Sequence, residues 1–113
     1  MLERDFQRNV IKFLKQRNAV VFNLIGNAFQ RDLPDLYVAH LYWSGWIELK
    51  VGKNKPTPSQ ISVLERLRQR KVNAFVLTYK ASDGYLVSDL KKALWFPTLE
   101  ACWKHIVNEQ NIE

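Results

Sequence analysis

Asp35, Glu48 and Lys50 are the residues of this chain whose types and spacing could do chemistry. Asp35 follows a proline and opens the run Leu36-Tyr37-Val38-Ala39-His40. Glu48 and Lys50 sit within Gly45-Trp46-Ile47-Glu48-Leu49-Lys50-Val51. Both runs are rich in apolar, aromatic and β-branched residues and bounded by turn formers, so both read as strands. Alternation along a strand places Glu48 and Lys50 on one face and Ile47, Leu49 and Val51 on the other. Two carboxylates on adjacent strands repel unless a cation lies between them, and hard oxygen ligands of this kind suit Mg²⁺. A lysine one pleat away could orient or deprotonate a water, or stabilise charge growing on a phosphate. Acid pair, cation and lysine are together the components of phosphodiester hydrolysis.

The elements that must position these residues can be read in order. Residues 2–17 repeat apolar side chains at Leu2, Phe6, Val10, Phe13 and Leu14, which predicts an amphipathic helix. Glu3 lies in its first turn, where an acid complements the helix dipole and where it could also reach a metal site. Ala19–Ile25 is β-prone and predicts the first strand. A polar loop with Gln30, Arg31 and Asp32 then leads to Pro34. Arg31 is a candidate phosphate contact or a solvated loop residue, and Asp32 rivals Asp35 but lies before the proline. His40 sits at the far end of its strand from Asp35. The short link Leu41–Gly45 fits an antiparallel hairpin. Its Trp43 and the adjacent Trp46 suit hairpin packing or a subunit contact better than base stacking.

Gly52-Lys53-Asn54-Lys55-Pro56 is no phosphate-binding loop of the G-x-x-x-x-G-K-[ST] kind. Lys53 and Lys55 could hold a DNA backbone or simply form a solvated turn. Thr57-Pro58-Ser59-Gln60 predicts a helix start with Thr57 as N-cap and Gln60 closing a capping box. That helix runs to about Arg70 and is followed by a strand over Val72–Tyr79, parallel to a neighbour after the crossover. Asp83-Gly84 makes a turn before Tyr85-Leu86-Val87. Asp89–Leu94 reads as a short helical turn, and Pro97-Thr98 introduces a last helix burying Leu99, Cys102, Trp103 and Ile106.

The composition narrows the function classes. A chain of 113 residues suits one domain, 1–113, with a single core. Lysine and arginine number 17 against 11 acids, and a net charge of +6 suits a polyanionic partner. The lone Cys102 excludes an internal disulfide and a zinc cluster and reads as a buried structural thiol. No apolar run reaches the ~18 residues of a membrane span, and the N-terminus is unlike a signal peptide. A cytoplasmic protein is expected.

Pro34-Asp35 followed by Glu48-Leu49-Lys50, with a leading helical Glu3 and a trailing Gln60, resembles the PD-(D/E)XK nuclease superfamily, and within it the VRR-NUC branch. The chain departs from that branch's pattern at Leu33, where glycine usually precedes Pro-Asp. The branch is related to Holliday-junction resolvases and includes small stand-alone phage and bacterial nucleases. The resemblance implies a restriction-endonuclease-like α-β-β-β-α-β core, an α/β fold with a mixed sheet flanked by helices. Here that core carries an extra C-terminal hairpin and helix. It implies a Mg²⁺-dependent DNA endonuclease, with Mn²⁺ as a substitute. Asp35, Glu48 and the Leu49 carbonyl would be ligands and Glu3 a direct or water-mediated one. Lys50 would position or activate water, Gln60 would assist, and Arg31, Lys53 and Lys55 would contact DNA. It further implies branched DNA as partner and a homodimer, with Trp43, Trp46, Trp95, Phe96 and Trp103 as spare interface aromatics. The alternative is a catalytically silent nucleic-acid-binding module on the same fold.

Overall fold

The computed structural model describes residues 1–26 and 32–109. Among them the elements run α1 (Glu3–Gln16), β1 (Val20–Asn23), β2 (Leu36–Ala39), β3 (Ser44–Val51), α2 (Pro58–Gln69), β4 (Ala74–Lys80), β5 (Gly84–Ser88), β6 (Ala93–Phe96) and α3 (Leu99–Glu109). The strands form one six-stranded sheet in chain order, β1-β2-β3-β4-β5-β6. Every neighbouring pair is antiparallel apart from β3 and β4. That exception follows from α2, which carries the chain back along the sheet so that β4 starts beside the start of β3.

The two faces of the sheet are covered unequally. Alternate residues of β2, β3 and β4, among them Leu36, Val38, Ile47, Leu49, Phe75 and Leu77, pack under α1 and α3 with Phe6, Val10, Leu14, Cys102 and Ile106. The opposite face carries a smaller cluster in which Leu64 of α2 covers Ala74 and Val76, with Trp46, Leu67 and Leu90 at its margin. The result is the mixed sheet with helices on both faces that the sequence predicts.

Helix α1 has Leu2 at its N-cap, with no side-chain capping bond. Burial of Phe6, Val10 and Leu14 holds it, each contributing roughly 1.5–3 kcal/mol, and the Arg17–Glu100 ion pair ties its end to α3. Both α1 and α2 end in the same way. Asn18 and Lys71 adopt φ of 65°, and the amides of Ala19 and Val72 reach back to the carbonyls of Leu14 and Leu67. This double closure satisfies the last carbonyls of each helix. At the start of α2 the predicted capping box is formed: Gln60 N donates to Thr57 Oγ1 at 3.2 Å, and Thr57 N donates to Gln60 Oε1 at 2.9 Å.

Two expectations are corrected. Asp89–Leu94 is not a helical turn. Asp89 Oδ1 accepts from the amides of Lys91 and Lys92, and Leu90 takes φ of 77°. The chain therefore reverses and leaves as strand β6. Trp43 is not spare for a subunit contact: it is buried and packs against Phe75 and Trp103, with ring centroids 5.6 and 6.4 Å away. Gly45 makes room for this packing, since a Cβ there would lie 2.6 Å from Asn73 Cβ and 2.7 Å from Trp43. No helix among the described residues is long and apolar enough to cross a membrane.

Candidate active site

The antiparallel register of β2 and β3 pairs Leu36 with Ile47, so the next pair outward is Asp35 with Glu48. At that pair the side chains take over from the backbone ladder. Asp35 N donates to Glu48 Oε1 at 3.2 Å, and Leu49 N donates to Asp35 Oδ2 at 2.9 Å. Each carboxylate is thus anchored on the other's strand. Pro34, buried just before Asp35, has no amide to continue a ladder.

Lys50 completes the constellation. Its Nζ lies 3.2 Å from Glu48 Oε2, an outcome of the two residues sharing one face of β3. Glu48 is only 1% exposed, which makes its charge expensive. Burial pushes its carboxyl up to about 7, the negative charge of Asp35 adds to the rise, and Lys50 opposes it. Asp35 is also raised, first by burial, with the Glu3 carboxylate adding to it against the Leu49 amide and Lys50. Carboxyls perturbed in this way cluster at functional sites.

The remaining candidates fall as follows. Glu3 is exposed in the first turn of α1 and acts on Asp35 through its charge. Among the described residues no three His, Cys, Asp or Glu side chains gather closely enough to share a metal, so the acidic centre is the pair Asp35–Glu48. Leu49 presents its amide to Asp35, and the N–H and C=O of a strand residue project to the same side of the strand. Gln60 commits Oε1 to the α2 cap. Lys53 and Lys55 are exposed in the turn after β3, where Gly52 takes φ of 65°. Arg31 lies outside the described residues. His40 links the hairpin to the end of α1: Nδ1 accepts from Tyr42 N, so Nε2 carries the hydrogen and donates to Arg17 O at 2.9 Å.

Sequence reasoning did not place Thr78, Lys80 or Trp95 near these residues. The register Lys50↔Thr78, Thr78↔Leu86, Leu86↔Trp95 puts all of them on the face that carries Glu48 and Lys50. The sequence signal was Trp95 as an aromatic assigned to a subunit interface. A separate cleft of about 560 Å³, lined by Arg68, Lys71 and Asp89 among others, lies at the far end of α2. There Arg68 pairs with Asp89 and donates to Ala74 O.

No family model and no curated protein sequence matches the chain. Among solved structures it is similar to Hjc, a Holliday junction resolvase from the archaeal hyperthermophile Archaeoglobus fulgidus. The match has a TM-score of 0.59 and 15% identity, and covers 77% of this chain and 75% of that one. At this identity the likeness is one of fold. The chain therefore has the restriction-endonuclease-like α/β fold that the resemblance implies, the fold of an archaeal Holliday junction resolvase.

Proposed function

We propose that this protein is a metal-dependent DNA endonuclease that hydrolyses phosphodiester bonds in branched DNA. One observation carries the reading: Asp35 and Glu48 are locked onto each other's strands, with the Lys50 ammonium on Glu48 Oε2. The fold shared with a Holliday junction resolvase supports it and favours branched substrates.

The donor set fits a hard divalent cation. Two adjacent carboxylates, one of them raised to about 7 by burial and by the other, are relieved by a cation between them. Asp35, Glu48 and the Leu49 carbonyl would hold Mg²⁺, or Mn²⁺ in its place, with Glu3 acting through water. When bound, the cation supplies Lewis-acid stabilisation of charge on the phosphate. Lys50 orients the attacking water and offsets charge on the phosphate oxygens. Gln60 fixes the start of α2 after the strand that carries Glu48. Lys53 and Lys55, and Arg31 outside the described residues, hold the DNA backbone.

Cutting two strands of a junction needs two sites related by a two-fold axis, and a homodimer supplies them. The aromatics expected to build that interface are mostly used elsewhere, because Trp43 is buried and Trp103 and Phe96 pack on the main core. A patch at the β1 edge and hairpin tip is better suited: Val20, Phe22, Leu41 and Tyr42 are all exposed, Leu41 by 85%. We assign this patch to a second copy of the chain.

Labelled duplex, flap and four-way junction DNA incubated with Mg²⁺ or with EDTA tests the function. Cleavage of the junction in Mg²⁺, none in EDTA and none by Glu48→Gln is expected. Near-wild-type cleavage by Glu48→Gln at saturating Mg²⁺ would overturn the site. Metal-independent binding without cleavage of any substrate would make the chain a binding module.

A further inference from the structure

We infer that Trp95, with Lys80 above it, is a stacking shelf for an unpaired nucleobase of the DNA substrate, on the same sheet face as Lys50. The inference rests on the nuclease reading for its substrate and adds what that substrate must offer: a base with a free face a few nucleotides from the scissile phosphate.

Four cross-strand neighbours form one row, Lys50, Thr78, Leu86 and Trp95, on β3, β4, β5 and β6. At ~4.8 Å between strands, Trp95 stands about 14 Å from Lys50, the span of roughly four stacked nucleotides at about 3.4 Å each. Helix α2 covers the Ala74–Val76 part of this face, and the row lies beyond it. Trp95 is 43% exposed although it is a large aromatic.

Lys80 shows what the ring attracts. Its Nζ lies 5.9 Å from the Trp95 ring centroid, in the geometry of a cation on an aromatic face. It reaches β6 because its cross-strand partner on β5 is Gly84, which has no side chain to block the lysine stem. The same end of the sheet carries Lys50 and the turn with Lys53 and Lys55. An exposed indole among lysines complements one class of partner, a strand that alternates flat bases with phosphates. Base and ammonium compete for the indole face, so an arriving base displaces Lys80, whose flexible stem then delivers the ammonium to a phosphate. Bases inside a duplex have both faces covered by their neighbours. The shelf therefore selects DNA with an unpaired strand or an opened branch point.

The test is binding by the full chain in EDTA, read by fluorescence anisotropy. The probes are a blunt duplex and the same duplex with a four-nucleotide single-stranded tail. Wild type should prefer the tailed duplex. Trp95→Ala should lose about tenfold on the tailed duplex and less than twofold on the blunt one, and Trp95→Phe should restore most of the preference. Trp95→Leu, which keeps an apolar β-edge residue without a ring, should behave like the alanine variant and guards against a folding defect in it. Lys80→Ala should lower the salt slope of tailed-duplex binding by about one. Equal losses on both probes, no loss with either non-aromatic variant, or conversion of a dimer to a monomer by Trp95→Leu would overturn the shelf. Ring-dependent tail binding by a wild-type protein that cleaves nothing in Mg²⁺ would support the shelf and overturn the nuclease reading instead.

Discussion

Glu48 is where stability and function pull against each other. Its carboxyl ionises near pH 7 in the fold and near 4.5 in the unfolded chain. Between those values the unfolded chain has released a proton that the fold still holds. Stability therefore falls as pH rises from about 4.5 to about 7 and stays at the lower level above. Asp35, also raised, acts in the same direction. Glu48→Gln makes the neutral state permanent, so without metal it should be more stable than wild type at pH 8, by on the order of 1–3 kcal/mol. The difference should shrink towards zero below pH 4.5. Urea unfolding at both pH values measures it, and equal stability at pH 8 would mean that the ionised pair costs the fold nothing. Millimolar Mg²⁺ should raise the melting temperature of wild type at pH 8 and not at pH 5, and should leave that of Glu48→Gln unchanged at both. Lys50→Ala should lower the single-turnover rate by ~10²–10⁴ with little change in DNA affinity. Lys53→Ala and Lys55→Ala should weaken binding and flatten its salt dependence.

At the scale of elements, the helix ends and the β3 start decide how well the pair is held. Lys71 sits at φ of 65° to close the end of α2. Relief of left-handed strain is only partly offset by the entropy glycine brings, so Lys71→Gly should stabilise by about 0.5–1 kcal/mol. A lower urea midpoint would count against the assigned cap. The start of β3 is tied to β4 by Asn73, whose side chain donates to Ser44 O at 2.9 Å while Trp46 N donates to Asn73 O at 2.8 Å. Gly45 permits that approach, and Gly45→Ala should cost about 1–3 kcal/mol through overpacking. Gln60→Ala should cost about 1 kcal/mol through the lost box. It should leave cleavage within tenfold, because Oε1 is already committed to Thr57 N. A larger loss in single-turnover rate would move Gln60 into the site.

For the whole molecule, the sheet is the organising surface. One face is spent on the core under α1 and α3, and the other carries the acids, Lys50 and the Trp95 row. The open β1 edge and hairpin tip leave apolar side chains in water, a liability that pairing with a second copy removes. Sedimentation at micromolar concentration should show a dimer, and Leu41→Asp should convert it to a folded monomer that no longer nicks a junction in symmetric pairs. A monomeric wild type would defeat the dimer and leave the site assignment standing.

Local periodicity made part of this legible in the sequence. The two-residue repeat of a strand places Glu48 and Lys50 side by side whatever surrounds them, and the 3.6-residue repeat places Phe6, Val10 and Leu14 on one stripe of α1. Thr57-Pro58-Ser59-Gln60 carries its helix start in its own bonds. What only the tertiary structure decided depends on register and on which face is covered. The Asp35–Glu48 pairing needs the β2–β3 register, and the reach of Glu3 to Asp35 needs α1 to dock. Trp43, just before β3, and Trp95, in β6, are the same residue type, yet one is buried and the other exposed. Trp43 meets Phe75 and Trp103, distant in sequence, in the layer under α3, whereas Trp95 lies on an edge strand beyond the reach of α2. The turn at Asp89 is not legible locally, because its choice between helix and reversal rests on side-chain bonds to the next amides and on a strand already waiting in β5. Such choices are made by contacts between segments, and the free energy of those contacts is absent from any local stretch of the chain.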